Sequence, residues 1–106
     1  MTGVVLAVSH EPDGDVHVLL KLDPQYTKLL TPGNAAQGGN LVVEDVCVYL
    51  PTQRDAVPAC TGFKTPFRPF KVGHRYKVSG AYVLDKNHGS WAEIHGLTEQ
   101  VDLTSA

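Results

Sequence analysis

Residues 83–97 read VLDKNHGSWAEIHGL and gather Asp85, His88, Glu93 and His95 into one short stretch. On an extended strand, residues two apart project to the same side, about 6.6 to 7 Å from each other. Trp91, Glu93 and His95 therefore share one face, and Ala92 and Ile94 share the other. The small and aliphatic pair suits a core, which leaves Glu93 and His95 together on an outward, solvent-facing side. There an imidazole nitrogen and a carboxylate oxygen can converge on one ion such as zinc, which takes its ligands at about 2.0 to 2.2 Å. A further ligand has to come from elsewhere: His17 from an earlier strand, or His88 and Asp85 from the hairpin. The candidate metal set is thus His17, His88, Glu93 and His95, and the activity it would support is a small metal-dependent hydrolase. The simpler reading of the same residues is a solvated Glu/His pair on an exposed hairpin.

A second constellation mixes cations with rings. Lys64, Arg68, Lys71, Arg75 and Lys77 are five of the 9 Lys and Arg residues, and no Asp or Glu lies among them. Phe63, Phe67, Phe70, His74 and Tyr76 are interleaved. Single-stranded nucleic acid is held by a positive groove plus aromatic faces on which bases stack, at about 1 to 3 kcal/mol per base. Lys64, Phe67, Arg68, Lys71, Arg75 and Lys77, with Trp91 on the outer strand face, are the candidate ligand-binding residues for such a polyanion. The competing reading has the Phe residues plugging a barrel end while the cations stay in water.

Other chemistry is weakly represented. The segment EPDGDVH offers Glu11, Asp13 and Asp15, too few oxygens for a calcium loop ending in a bidentate Glu, and Asp with Gly there serves a tight turn. Ser79, Ser90 and Cys47 lie in no nucleophile elbow.

The elements that position these residues follow from period-2 patterning. GVVLAVSH reads as a first strand and VHVLLKLD as a second, with Val16, Val18, Leu20 and Leu22 inward and His17 and Lys21 outward. PQYTKLLTPGNAAQGGN has one helical turn at YTKLL and otherwise reads as a long mobile loop. LVVEDVCVYLP is a third strand that Pro51 ends. TQRDAVPAC gives a short helix capped by Thr52 and limited by Pro58. RYKVSGAYVLD and WAEIHGLTEQVDL are the last two strands, joined by the turn signal KNHGS, and Gly80 falls where a tight barrel must bend. Five strands with a short helix between the third and fourth describe an all-β, five-stranded OB-like Greek-key barrel; a two-sheet sandwich is the competitor.

At 106 residues and 42% hydrophobic content, the chain has room for one domain burying roughly 60 to 70% of its extended surface. The net charge of -2 argues against a protein that is basic all over. No apolar run is long enough for a membrane span, and the start lacks the features of a signal peptide. Cys47 and Cys60 match neither a zinc finger nor a Cys-x-x-Cys pair. A disulfide between them would be worth on the order of 3 kcal/mol in the chain-entropy model and would imply an extracytoplasmic setting. Two buried free thiols would imply a cytoplasmic one. Spacing does not choose between them, nor does it give an oligomeric state.

The chain resembles a family of small, uncharacterised bacterial OB-like proteins. The resemblance rests on Asp13, Gly14, Asp15, His17, Leu22 and Asp23, then Leu84, Asp85, His88, Gly89, Trp91, Glu93, Ile94 and His95. This sequence departs from that pattern with Ser90 inserted between Gly89 and Trp91, and with Gly96 where the pattern has Pro. The resemblance implies an OB-like barrel. The expected function is a non-enzymatic binding module, with single-stranded nucleic acid or another polyanion as its ligand and the metal-dependent hydrolase as the alternative.

Overall fold

The computed structural model describes residues 1–11, 14–45, 67–86 and 89–104. Five strands, β1 (Thr2–His10), β2 (Val16–Leu22), β3 (Leu41–Asp45), β4 (Arg75–Asp85) and β5 (Trp91–Asp102), close into a barrel in the order β1-β2-β3-β5-β4. The pairing is antiparallel throughout except between β3 and β5, which run parallel. The all-β five-stranded barrel expected from the patterning is therefore present. The rest of the expected third strand beyond Asp45, the short helix expected within 52–60, and both Cys47 and Cys60 lie outside the described residues. Among the described residues no helix is long and apolar enough to cross a membrane.

The core follows from strand alternation. In β2, Val16, Val18, Leu20 and Leu22 are buried, while His17 is half-buried and Lys21 exposed, as period 2 requires. These side chains meet Val5, Leu41, Val43, Tyr76, Val78, Ala92 and Ile94 in one apolar cluster. Phe70 seals it, its ring edge-on to Tyr76 at a centroid distance of 4.8 Å. Gly80 marks a real irregularity: the β4–β5 register shifts on both sides of it. A Cβ there would overlap Ile94 Cγ2 and the Gly96 carbonyl, so the two strands approach more closely than any side chain permits.

The helical turn expected at YTKLL falls on a 3-10 helix, and the rest of residues 24–40 differs from the mobile loop read from composition. Two 3-10 helices occupy them, η1 (Pro24–Leu29) and η2 (Pro32–Gln37). Thr31 caps η2 reciprocally with Asn34: the Thr31 N–H donates to Asn34 Oδ1 at 3.0 Å, and the Gly33 N–H donates to Thr31 Oγ1 at 3.2 Å. Asn34 is fully buried and works as a surrogate strand partner. Its Oδ1 accepts from the Ala92 N–H at 2.8 Å, and its Nδ2 donates to the Ala92 and Asn40 carbonyls at 3.0 and 2.9 Å. Thr31 Oγ1 also donates to the Ser90 carbonyl at 2.8 Å. Composition misreads the segment because Gly and Asn signal loops, whereas here a buried asparagine amide makes tertiary hydrogen bonds that order it. The consequence for function is positional, since η2 fixes the entry of β5 and with it Trp91 and Glu93.

Candidate metal centre

Strand register assembles the centre. The inward row Val18, Val43 and Ile94 belongs to the core, so the neighbouring residues of β2, β3 and β5 project outward. His17 of β2 pairs with Glu44 of β3, and Glu44 pairs with His95 of β5. One row across three strands therefore reads His17, Glu44, His95. In the adjacent row Leu19 pairs with Val42, Val42 with Glu93, and Glu93 with Val83. Glu93 is thus brought beside Glu44 and His95.

The donor atoms are close. One ligand atom each from Glu44, Glu93 and His95 lies within 4.8 Å of the others. His95 Nε2 is 3.4 Å from Glu44 Oε2, and His17 Nε2 is 3.7 Å from the same oxygen. The other ring nitrogen of His17, Nδ1, faces Glu11 Oε1 at 3.5 Å. On the far side of the cluster the Trp91 indole N–H donates to Glu93 Oε2 at 2.8 Å.

Burial corrects the expectation of a solvent-facing pair. Glu93 is 3% exposed and Glu44 8%, and Trp91 is buried at 7%, whereas the His95 side chain is 51% exposed. The physical reason is position in the sheet. Leu41–Asp45 and Trp91–Ile94 are buried at every residue, so both faces of these strand segments are covered, which alternation along a single strand does not reveal.

Burial and proximity set the protonation preferences. For His17, the close Glu44 carboxylate outweighs desolvation and, with the fields of Glu11 and Glu93, holds the imidazole above its ordinary value. Burial opposes the charge on Glu44, but the neighbouring His17 and His95 imidazoles outweigh it, and the carboxyl is held below the usual range. Glu93 goes the other way. Desolvation dominates there, Glu44 and Asp85 add repulsion, and the Trp91 hydrogen bond and His95 only partly offset them, so its carboxyl is pushed up.

Of the residues expected to bind metal, Glu93 and His95 are brought together, His17 approaches Glu44 of that group from β2, and His88 lies outside the described residues. Glu44 was missed. Alternation within LVVED does send it outward beside an inward Val43, but nothing local reveals that β3 closes in parallel against β5.

The residues expected to bind a polyanion are placed differently. Arg75 is paired with Asp23, its Nη1 donating to Oδ1 at 2.6 Å. Lys77 Nζ lies 3.6 Å from Glu99. Phe67 packs against the core, and Trp91, expected as an outer stacking ring, is instead buried beside Glu93 because its face of β5 is covered. Arg68 and Lys71 are exposed, and Lys64 lies outside the described residues. At the β1–β2 turn, Glu11 and Asp15 face His17 and Glu44, and Asp13 also lies outside the described residues.

The arrangement can do what mixed imidazole and carboxylate donors do, namely hold a divalent cation of borderline softness. No protein-family model matches the chain, and no curated protein and no solved structure matches it.

Proposed function

We propose that this chain is a non-enzymatic binding module on an OB-like barrel, and that its ligand is a divalent metal ion held by Glu44, Glu93 and His95. The strand order, with β1 beside β4 and a parallel β3–β5 closure, supports the OB-like assignment. The observation that carries the ligand is the convergence of one donor atom from each of those three residues within 4.8 Å. Glu93, buried beside the charged Glu44, is both desolvated and repelled, and is costly to keep charged. A cation between them offsets that cost.

The polyanion reading draws less support. Arg75 and Lys77 already face carboxylates, and the indole expected to stack on a base is buried. Arg68 and Lys71 remain as exposed cations.

Calorimetric titration with zinc near neutral pH tests the proposal. The expected trace shows one equivalent bound, lost in the double variant Glu93→Gln with His95→Ala. A flat trace for the parent protein defeats it. A parallel titration with single-stranded oligonucleotide at low salt separates the polyanion reading, whose affinity must fall steeply with added salt.

A further inference from the structure

Resting on that metal reading, we infer that His17 is the fourth ligand of the same ion. The site is then a closed two-nitrogen, two-oxygen centre of the zinc class, with Glu11 and Trp91 as its positioning residues. Bonds of 2.0 to 2.1 Å at tetrahedral angles separate ligand atoms by about 3.3 to 3.4 Å. His95 Nε2 and Glu44 Oε2 already stand at 3.4 Å. His17 Nε2 is 3.7 Å from that same oxygen but stands outside the 4.8 Å group of Glu44, Glu93 and His95, so binding requires a small turn of its ring that brings Nε2 in while Nδ1 stays toward Glu11.

The surroundings of the two outer donors support this assignment. A ligating histidine ordinarily presents its second ring nitrogen to a carboxylate, which fixes the tautomer and raises ligand basicity. His17 has that partner: Nδ1 faces Glu11 Oε1, and Glu11 is itself held by the Ser9 hydroxyl at 3.2 Å. A ligating carboxylate is ordinarily hydrogen-bonded on its other oxygen. Glu93 has that too, because Trp91 occupies Oε2 and leaves Oε1 for the ion. The two outer partners come from opposite ends of the cluster, one from the β1–β2 turn and one from the start of β5.

The donor set also selects the ion. Calcium takes six to eight oxygens, and magnesium prefers an octahedral oxygen shell with several waters. Two imidazoles and two carboxylates suit zinc or cobalt(II) instead. With four protein ligands, no position is left for a substrate water. The ion then joins β2, β3 and β5 across the outer face, a structural or metal-sensing role rather than a hydrolytic one.

Cobalt(II) tests the coordination directly, because its visible absorption is intense in tetrahedral sites and pale in octahedral ones. The parent protein is expected to give the intense spectrum at one equivalent, zinc is expected to displace it, and calcium and magnesium in excess are expected to leave it unchanged. His17→Ala is expected to lose the tetrahedral bands, and Glu11→Gln to keep them with roughly 10- to 100-fold weaker affinity. His17→Gln serves as a second variant, and circular dichroism of the metal-free variants checks that each is folded. Tight binding by the parent with an unchanged spectrum in both His17 variants overturns the fourth-ligand assignment and leaves the three-residue site standing. A pale octahedral spectrum does the same. No cobalt or zinc binding by the parent overturns the metal reading itself.

Discussion

His95 of β5 and Glu44 of β3, 51 positions apart in sequence, face each other across the parallel pair of the barrel with Nε2 and Oε2 3.4 Å apart. Glu93 completes the contact group from two residues earlier on β5. Most of what can be tested about this protein follows from how that pairing is built and held.

Glu93 carries a cost in the metal-free protein. A carboxyl whose folded value is raised favours the folded state below its unfolded value, and that contribution is lost as pH rises through the folded value. Glu93→Gln is therefore expected to melt higher than the parent near pH 7 without metal, with the advantage shrinking as pH falls toward 4. Saturating zinc should reverse the order, since a ligand that binds only the folded parent stabilises it alone. Melting curves at several pH values, with chelator and with zinc, check both halves. A variant no more stable than the parent at neutral pH in chelator contradicts the burial argument.

Asn34→Ala removes the amide that serves the edge of β5. It leaves the Ala92 N–H and the Ala92 and Asn40 carbonyls without that partner, and each buried orphan costs about 1 to 3 kcal/mol. A loss on the order of 2 to 4 kcal/mol is expected in urea titration. A loss under about 0.5 kcal/mol, typical of a surface substitution, would show that η2 does not hold β5.

Asp23 predicts acid sensitivity at the other side of the barrel. Hydrogen bonds from Arg75 and Thr2 hold its carboxyl below the ordinary range. The sign is the usual one for a depressed carboxyl: its contribution is present above the unfolded value, near pH 4, and is lost as pH falls through the folded value. Asp23→Asn should therefore destabilise at pH 7 and differ less from the parent as the solution is acidified below pH 3. Parallel melting curves that keep a constant gap from pH 7 to pH 2 argue against the pairing.

Gly80→Ala forces a Cβ into Ile94 and the Gly96 carbonyl. Overpacking of this kind costs about 1 to 3 kcal/mol, and the β4–β5 amides near the register shift should exchange faster. Unchanged stability would mean that the strands can part there without loss.

The sequence by itself determined the strands, because alternation is a local property written residue by residue. Val16, Val18, Leu20 and Leu22 declare one inward face, and Ala92 and Ile94 another, so the outward direction of His17 and His95 was legible without any neighbour. Gly80 was legible too, as a glycine within a strand where a tight barrel must bend, and the β4–β5 register does shift there. Tertiary structure decided the rest. Which strands become neighbours depends on closing long loops, and no local pattern records that β3 joins β5 in parallel; Glu44 therefore entered the centre unannounced. The burial of Glu93 and Trp91 likewise depends on how both faces of that pair are covered. Asn34 was hidden for the same reason, since an amide in a Gly-rich segment looks like turn chemistry until a distant strand supplies its partners.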